Sequence, residues 1–157
     1  YKRLFDEMYA YLKYPYCQTA IDGRLIGACS NLKPGQYDLI AHSMGSIIAA
    51  KCLATKYLPY PSLLVTIGSP LGLKSVRRQF GLANSDVLDG CFSQWYNLHD
   101  PLDPVSFDYD LADEYTDVQD IEVWNEAIDT TGKRWSHSLY GYLACKELHS
   151  ILEEHDE

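Results

Sequence analysis

Tyr37-Asp38-Leu39-Ile40-Ala41-His42-Ser43-Met44-Gly45-Ser46-Ile47-Ile48-Ala49-Ala50 is the stretch whose reading decides the fold. Leu39 to Ala41 is a short apolar run that suits a buried strand. From Met44 onward the apolar residues Ile47, Ile48 and Leu53 fall at helical spacing, with small residues between them. Ser43 therefore sits where a strand becomes a helix. Small residues two before and two after it are expected to let strand and helix approach closely. Gly45 fills the second position, and Ala41 stands where such turns usually carry a glycine.

A serine in that setting has the layout of a nucleophile elbow, a sharp turn that lifts the hydroxyl clear of the sheet. The first N–H groups of the following helix have no intrahelical partner and carry the positive end of its dipole. The Met44 N–H is thereby placed to face an oxyanion formed when Ser43 attacks a carbonyl. The competing reading is a serine that only N-caps an ordinary helix. The strand-turn-helix context favours the elbow.

The whole chain sets the bounds. Its 157 residues, 46% hydrophobic, suit a single domain spanning 1–157 with a sizeable core. The net charge of −9 repels phosphate backbones, which argues against a nucleic-acid partner. No apolar run approaches the ~20 residues that span a bilayer, and no signal peptide is visible. The sequence begins at Tyr1 rather than methionine, which raises the expectation of a piece of a longer protein. Cys17, Cys29, Cys52, Cys91 and Cys145 are odd in number and widely spaced, with no C-x-x-C. Neither a zinc site nor a redox dithiol is indicated, and the expected setting is the reduced cytoplasm. Asp100, Asp103, Asp108 and Asp110 lack calcium-loop spacing, so no metal is expected.

In chain order, residues 1–36 read as a helical lead-in and 37–157 as the core. Tyr1 to Leu12 is an amphipathic helix with Phe5, Met8, Tyr9 and Leu12 on one face, ended by Tyr14-Pro15-Tyr16. Ile21 to Leu32 is a second helix with Asp22 as its N-cap. After the elbow helix, which reaches about Lys56, Leu63 to Ile67 is apolar throughout, as befits a strand covered on both faces. It runs into the turn Gly68-Ser69-Pro70-Leu71-Gly72, at the strand end where open α/β sheets bind ligands. Val76 to Phe80 forms a helical turn with Arg77 and Arg78 as a solvated pair. Trp95 to His99 is a third strand and Val118 to Trp124 a fourth. One long helix follows from Leu139 to about Glu153, with a solvated acidic tail. Helices alternating with strands predict an α/β fold, a three-layer sandwich with a mostly parallel sheet.

Ser43, then Asp103 or Asp100, then His137 occur in the order serine, acid, histidine, each in a loop near a strand. A serine hydroxyl is a weak nucleophile and needs a base to take its proton. Histidine, with an unperturbed pKa of about 6.5, suits that task. A carboxylate then fixes its tautomer. These segments resemble the lipase and esterase branch of the α/β-hydrolase superfamily. Ala41-His42-Ser43-Met44-Gly45 is similar to its elbow, and Thr66-Ile67-Gly68-Ser69-Pro70-Leu71-Gly72 to its Thr-x-Gly-x-Pro neighbourhood. Asn97 through Val105 resembles its acid loop and His137 its histidine loop.

The resemblance implies a serine hydrolase of carboxylic esters, lipid or other acyl esters, using Ser43, His137 and Asp103, with Met44 as one oxyanion donor and no cofactor. It favours Asp103 over Asp100 as the acid. An acyltransferase of the same fold and a catalytically silent binding protein are the alternatives. The family's earlier strands and oxyanion loop have no counterpart before Tyr37, so the chain resembles a carboxyl-terminal portion, truncated at the amino terminus, or a reduced relative. An uncovered sheet edge, and association through it, is expected. His42 is expected to point to the side opposite the nucleophile, as elbow histidines of the family do. His99, His149 and His155 lack the position of a base.

Overall fold

A computed structural model describes residues 2–155. Tyr1, the side chains of residues 2–5, Phe5 among them, and the last two residues of the acidic tail lie outside what is described. The chain is α/β, with a four-stranded sheet in the order β1-β2-β3-β4. Its strands are β1 (Asp38–His42), β2 (Leu63–Ile67), β3 (Gln94–His99) and β4 (Val118–Glu122). Every pairing is parallel, with Leu39 opposite Leu64, Leu64 opposite Trp95, and Trp95 opposite Val118. All four strands therefore point their carboxyl ends the same way, toward one edge of the molecule.

Among the described residues six α-helices complete the architecture: α1 (Lys2–Lys13), α2 (Pro15–Cys29), α3 (Met44–Ala54), α4 (Lys74–Phe80), α5 (Leu139–Leu143) and α6 (Lys146–His155). Alternation along each strand sends side chains to opposite faces, and each face has its own core. On one, Leu64, Trp95 and Val118 pack with Tyr11 of α1, Cys29 of α2, Ile47 and Leu53 of α3 and Val76 of α4. On the other, Leu63, Val65, Ile67 and Leu98 pack with Tyr142 of α5 and with Leu148 and Ile151 of α6. β2 is buried at all five positions, as its unbroken apolar run predicts. Among the described residues no helix is long and apolar enough to cross a membrane.

Several elements differ from their sequence expectations. α1 ends at Lys13, just before Tyr14-Pro15-Tyr16 as expected, but Pro15 also begins a helix, as the first residue of α2. Proline is favoured there, since its missing N–H would have no partner anyway. The second helix thus starts six residues before Ile21, and Asp22 lies inside it rather than capping it. The Asp22 carboxylate pairs with Lys51 of α3 at 2.7 Å and accepts from the Tyr11 hydroxyl at 2.7 Å, tying three helices together.

Arg77 is not part of a solvated pair. It is only 4% exposed, forms an ion pair with Glu114 and donates to the Gly72 carbonyl at 3.2 Å. The expected long final helix is broken at Ala144 and Cys145. α5 begins at its N-cap Ser138 and passes so close to Asn125 that a Cβ on Gly141 would lie 1.6 Å from Asn125 Oδ1. That approach sets α5 against the segment that follows β4, and α6 lays Leu148 and Ile151 on the core. At the far end of the sheet, His155 of α6 contacts Asp38 of β1 at 3.3 Å and Ser62, just before β2, at 2.9 Å.

Candidate functional site

The carboxyl ends of the strands carry the candidate residues, because in a parallel sheet every strand hands over to a loop on the same edge. Ser43 follows β1 directly, with φ of 55° and ψ of −128°. Positive φ is uncommon for a residue with a Cβ and marks local strain. Three contacts hold it. The Ser43 N–H donates to the Ile67 carbonyl at 3.1 Å. The buried Ser46 hydroxyl donates to the Ser43 carbonyl at 2.6 Å. Ser46 Oγ in turn lies 2.7 Å from Ser69 Oγ in the turn after β2, which accepts from the Leu71 N–H at 3.2 Å. With the Ser46 proton committed to Ser43, the Ser69 hydroxyl is the donor between them. The elbow is thus anchored to the neighbouring strand and its turn.

Ser43, His137 and Asp103 come together as the sequence reading expects. His137 Nε2 is 2.9 Å from Ser43 Oγ, and His137 Nδ1 is 2.8 Å from Asp103 Oδ2. All three side chains are buried, at 4%, 2% and 3% exposure, so their hydrogen bonds form with little competition from water. Burial pushes the Asp103 carboxyl upward. Hydrogen bonding and charge from His137, the Val105 N–H at 2.8 Å and the Tyr142 hydroxyl outweigh it and hold the group below its ordinary value. Asp103 is therefore ionised and accepts from His137 Nδ1–H, which leaves Nε2 free to receive the Ser43 proton.

Asp100, the other candidate acid, takes no part in this chain. Its carboxylate accepts from the Leu102 N–H at 2.9 Å and the Asn125 N–H at 2.7 Å and pairs with Arg134. It ties the loop after β3 to the segment after β4. The Ser136 hydroxyl donates to the Leu102 carbonyl at 2.7 Å, so the loops carrying Asp103 and His137 are bound to each other.

Met44 is the first residue of α3, so its N–H belongs to the helix terminus that has no intrahelical acceptor. Gly45 departs from expectation. A Cβ there would meet nothing within 4 Å, so strand and helix do not need a glycine to approach. Gly45 instead lines an open groove of about 330 Å³ together with Ile21, Leu25, Ile40, His42 and Ile48. The glycine the site does require is Gly68. It has φ of +54°, and a Cβ would fall 2.8 Å from Asp103 Oδ2 and 3.2 Å from His137 Nδ1.

His42 also departs from expectation. Its ring lies against the ring of His137, centroids 4.6 Å apart and planes 31° apart. Burial and the neighbouring His137 push its pKa down to about 4.

Sequence reasoning missed Tyr142, Ser46 and Ser69. The tyrosine is fully buried and reaches Asp103 from α5, 39 residues away in sequence, with no local signal to announce it. Ser46, three residues after Ser43, could be singled out by helical spacing, since i and i+3 share a face.

Among the described residues no group of three or more His, Cys, Asp or Glu could hold a metal ion. All five cysteines are free. Comparison with known protein families, with curated proteins and with solved structures finds no match for this chain.

Proposed function

We propose that this chain is a serine hydrolase of the α/β-hydrolase type that cleaves carboxylic esters through an acyl-enzyme. The observation that carries this reading is the unbroken run from Ser43 Oγ through both nitrogens of His137 to Asp103, at 2.9 and 2.8 Å. In the first half-reaction Ser43 Oγ attacks the acyl carbonyl while His137 Nε2 takes its proton. The oxyanion faces the Met44 N–H at the start of α3. Collapse returns the proton from His137 to the departing alcohol and leaves the acyl group on Ser43. Water, activated by the same histidine, then releases the acid. Asp103 stays ionised throughout, orienting His137 and stabilising its charged form. Every step uses side chains and backbone of this chain, with no cofactor taking part in the proposal.

The surroundings favour an acyl ester over a charged substrate. Leu102 and Phe107, on the segment around Asp103, are 62% and 80% exposed, and Trp135, two residues before His137, is 40% exposed. Exposed apolar side chains on the segments that carry Asp103 and His137 suit the hydrocarbon part of a lipid or other acyl ester. A reduced, cytoplasmic setting suits the five free cysteines. The test is labelling with a fluorophosphonate followed by turnover of p-nitrophenyl esters of rising chain length. Absence of Ser43 labelling in folded protein would refute the reading.

A further inference from the structure

The two hydrogen bonds to His137 leave one motion free. They attach at Nδ1 and Nε2, on opposite sides of the imidazole, and fix where the ring's ends lie. Neither resists a roll of the ring about the line joining its two partners. Such a roll keeps both distances but tilts the ring out of the plane of the Asp103 carboxylate, away from the in-plane direction in which a carboxylate oxygen accepts best. Something must therefore bear on a face of the ring, and His42 does, at 4.6 Å between centroids. We infer that His42 is a positioning residue for His137, its neutral ring holding the base flat between Asp103 and Ser43.

Two further observations support this. His42 Nε2 is buried and has no hydrogen-bond partner. A buried polar atom left unpaired costs about 1–3 kcal/mol, so the imidazole is not kept there for hydrogen bonding through that atom. What it offers His137 is an aromatic face, held in place by a hydrogen bond from the His42 side chain to the His137 backbone. That face must also be uncharged, because His137 becomes a cation during the reaction. A neutral ring attracts the cation through its π-system, whereas a protonated ring would repel it. The groups facing His42 are Asp103 and His137 from the loops, Tyr142 of α5 at 6.0 Å between ring centroids, and Arg24 of α2, which lines the same groove. Asp103 and the hydrogen bond to the His137 backbone favour a charged His42, but burial and the His137 side chain outweigh them and keep the ring neutral.

The inference rests on His137 being the base of the proposed reaction, so the test carries one readout that does not depend on turnover. His42→Ala and His42→Phe are made in the full chain, with thermal melts to confirm folding. In His42→Ala, kcat on a p-nitrophenyl ester should fall about tenfold, within the 10²-fold that a ~1 Å misplacement can cost, with KM within twofold. His42→Phe restores the aromatic face and should recover most of the rate. By proton NMR the hydrogen-bonded Nδ1–H of His137 should give a slowly exchanging downfield signal in the parent and in His42→Phe. That signal should broaden or vanish in His42→Ala. Equal kcat and an equal downfield signal in the alanine variant would overturn the inference, as would a phenylalanine variant no better than alanine. A parent that turns over no ester but loses its downfield signal in His42→Ala would sink the esterase reading and leave the positioning role standing.

Discussion

The Tyr142 hydroxyl lies 2.8 Å from Asp103 Oδ2, the same carboxylate oxygen that faces His137. It donates to that oxygen while accepting from the Asp100 N–H at 3.0 Å. Burial and the Asp103 charge push its pKa upward, so the phenol remains a donor across the working range. One tyrosine on α5 thereby fixes both aspartates of the loop after β3. Tyr142→Phe removes the donor to Asp103 and leaves a buried N–H unpaired. We expect a loss of about 1–3 kcal/mol of stability, read by urea denaturation, and a rate loss below 10²-fold. A variant as stable as the parent would show that the hydroxyl does not hold this loop.

Ser43→Ala should abolish both fluorophosphonate labelling and ester turnover while leaving the melting temperature near that of the parent. Ser43 adopts positive φ, and alanine tolerates it no worse than serine, so the fold has no reason to change. Residual turnover equal to the parent would move the nucleophile elsewhere.

The two aspartates separate rate from stability. Asp103→Asn keeps the shape but cannot hold His137 in the right tautomer, a change that costs about 10⁴ in kcat in a serine protease. Asp100→Asn loses the ion pair with Arg134 and should appear mainly as instability, on the order of 1–3 kcal/mol. Steady-state kinetics on the folded fraction decides. The assignment fails if Asp100→Asn is the variant with the crippled kcat.

Gly68→Ala places a methyl 2.8 Å from Asp103 Oδ2 on a backbone of positive φ. The expected result is a triad pushed apart, with kcat falling by about 10² and a lower melting temperature. Fluorophosphonate labelling at the parent's rate would show that the turn after β2 can yield without moving Asp103.

Acid should destabilise the fold through His42. Its pKa falls from 6.5 to about 4 on folding, so between those values the unfolded chain binds a proton that the folded chain refuses. Stability is then fully present above about 6.5 and is lost as pH falls toward 4. Asp103, depressed below its ordinary 3.8, extends the loss to lower pH. Melting temperatures measured across this range should slope less in His42→Phe than in the parent. Parallel curves would exclude His42 as a source of the slope.

The position of each element was legible where the pattern is local. Tyr37 to Ala50 carries strand, turn and helix in consecutive residues, and the structure places them where the apolar spacing predicts. Triad order was legible because sheet topology puts each strand's successor on one edge. What was not legible depends on partners distant in sequence. Arg77 reads as solvated until Glu114, 37 residues on, is folded against it. Pro15 reads as a stop because proline breaks helix interiors, yet the same missing N–H makes it a good first residue. The break at Ala144 and Cys145 falls inside a stretch whose apolar spacing is continuous with a single helix, and no helical periodicity records it. The direction of His42 depends on which rings occupy the space beyond β1.

β1 is an outer strand of the sheet, as is β4. β1 pairs with β2 alone in the sheet, and Ile40 at its centre is 38% exposed beside the apolar groove. Open strand edges of this kind template pairing with another chain. We expect concentration-dependent association by analytical ultracentrifugation, reduced by Ile40→Lys. A strictly monomeric parent at high concentration would show that the edge is protected.

The ties that close this molecule also set when it can be finished. Ser43 meets His137, 94 residues further along the chain, and the His155 that fastens the far end of the sheet to Ser62 belongs to α6, which is synthesised after all four strands. A parallel sheet offers no hairpin with which to begin, so each pairing waits on a crossover. While it is being translated, the chain therefore carries bare strand and helix faces before it carries any chemistry. Leu63, Val65 and Ile67 of β2 therefore stay uncovered on one face until Leu148 and Ile151 of α6 have emerged to pack on them.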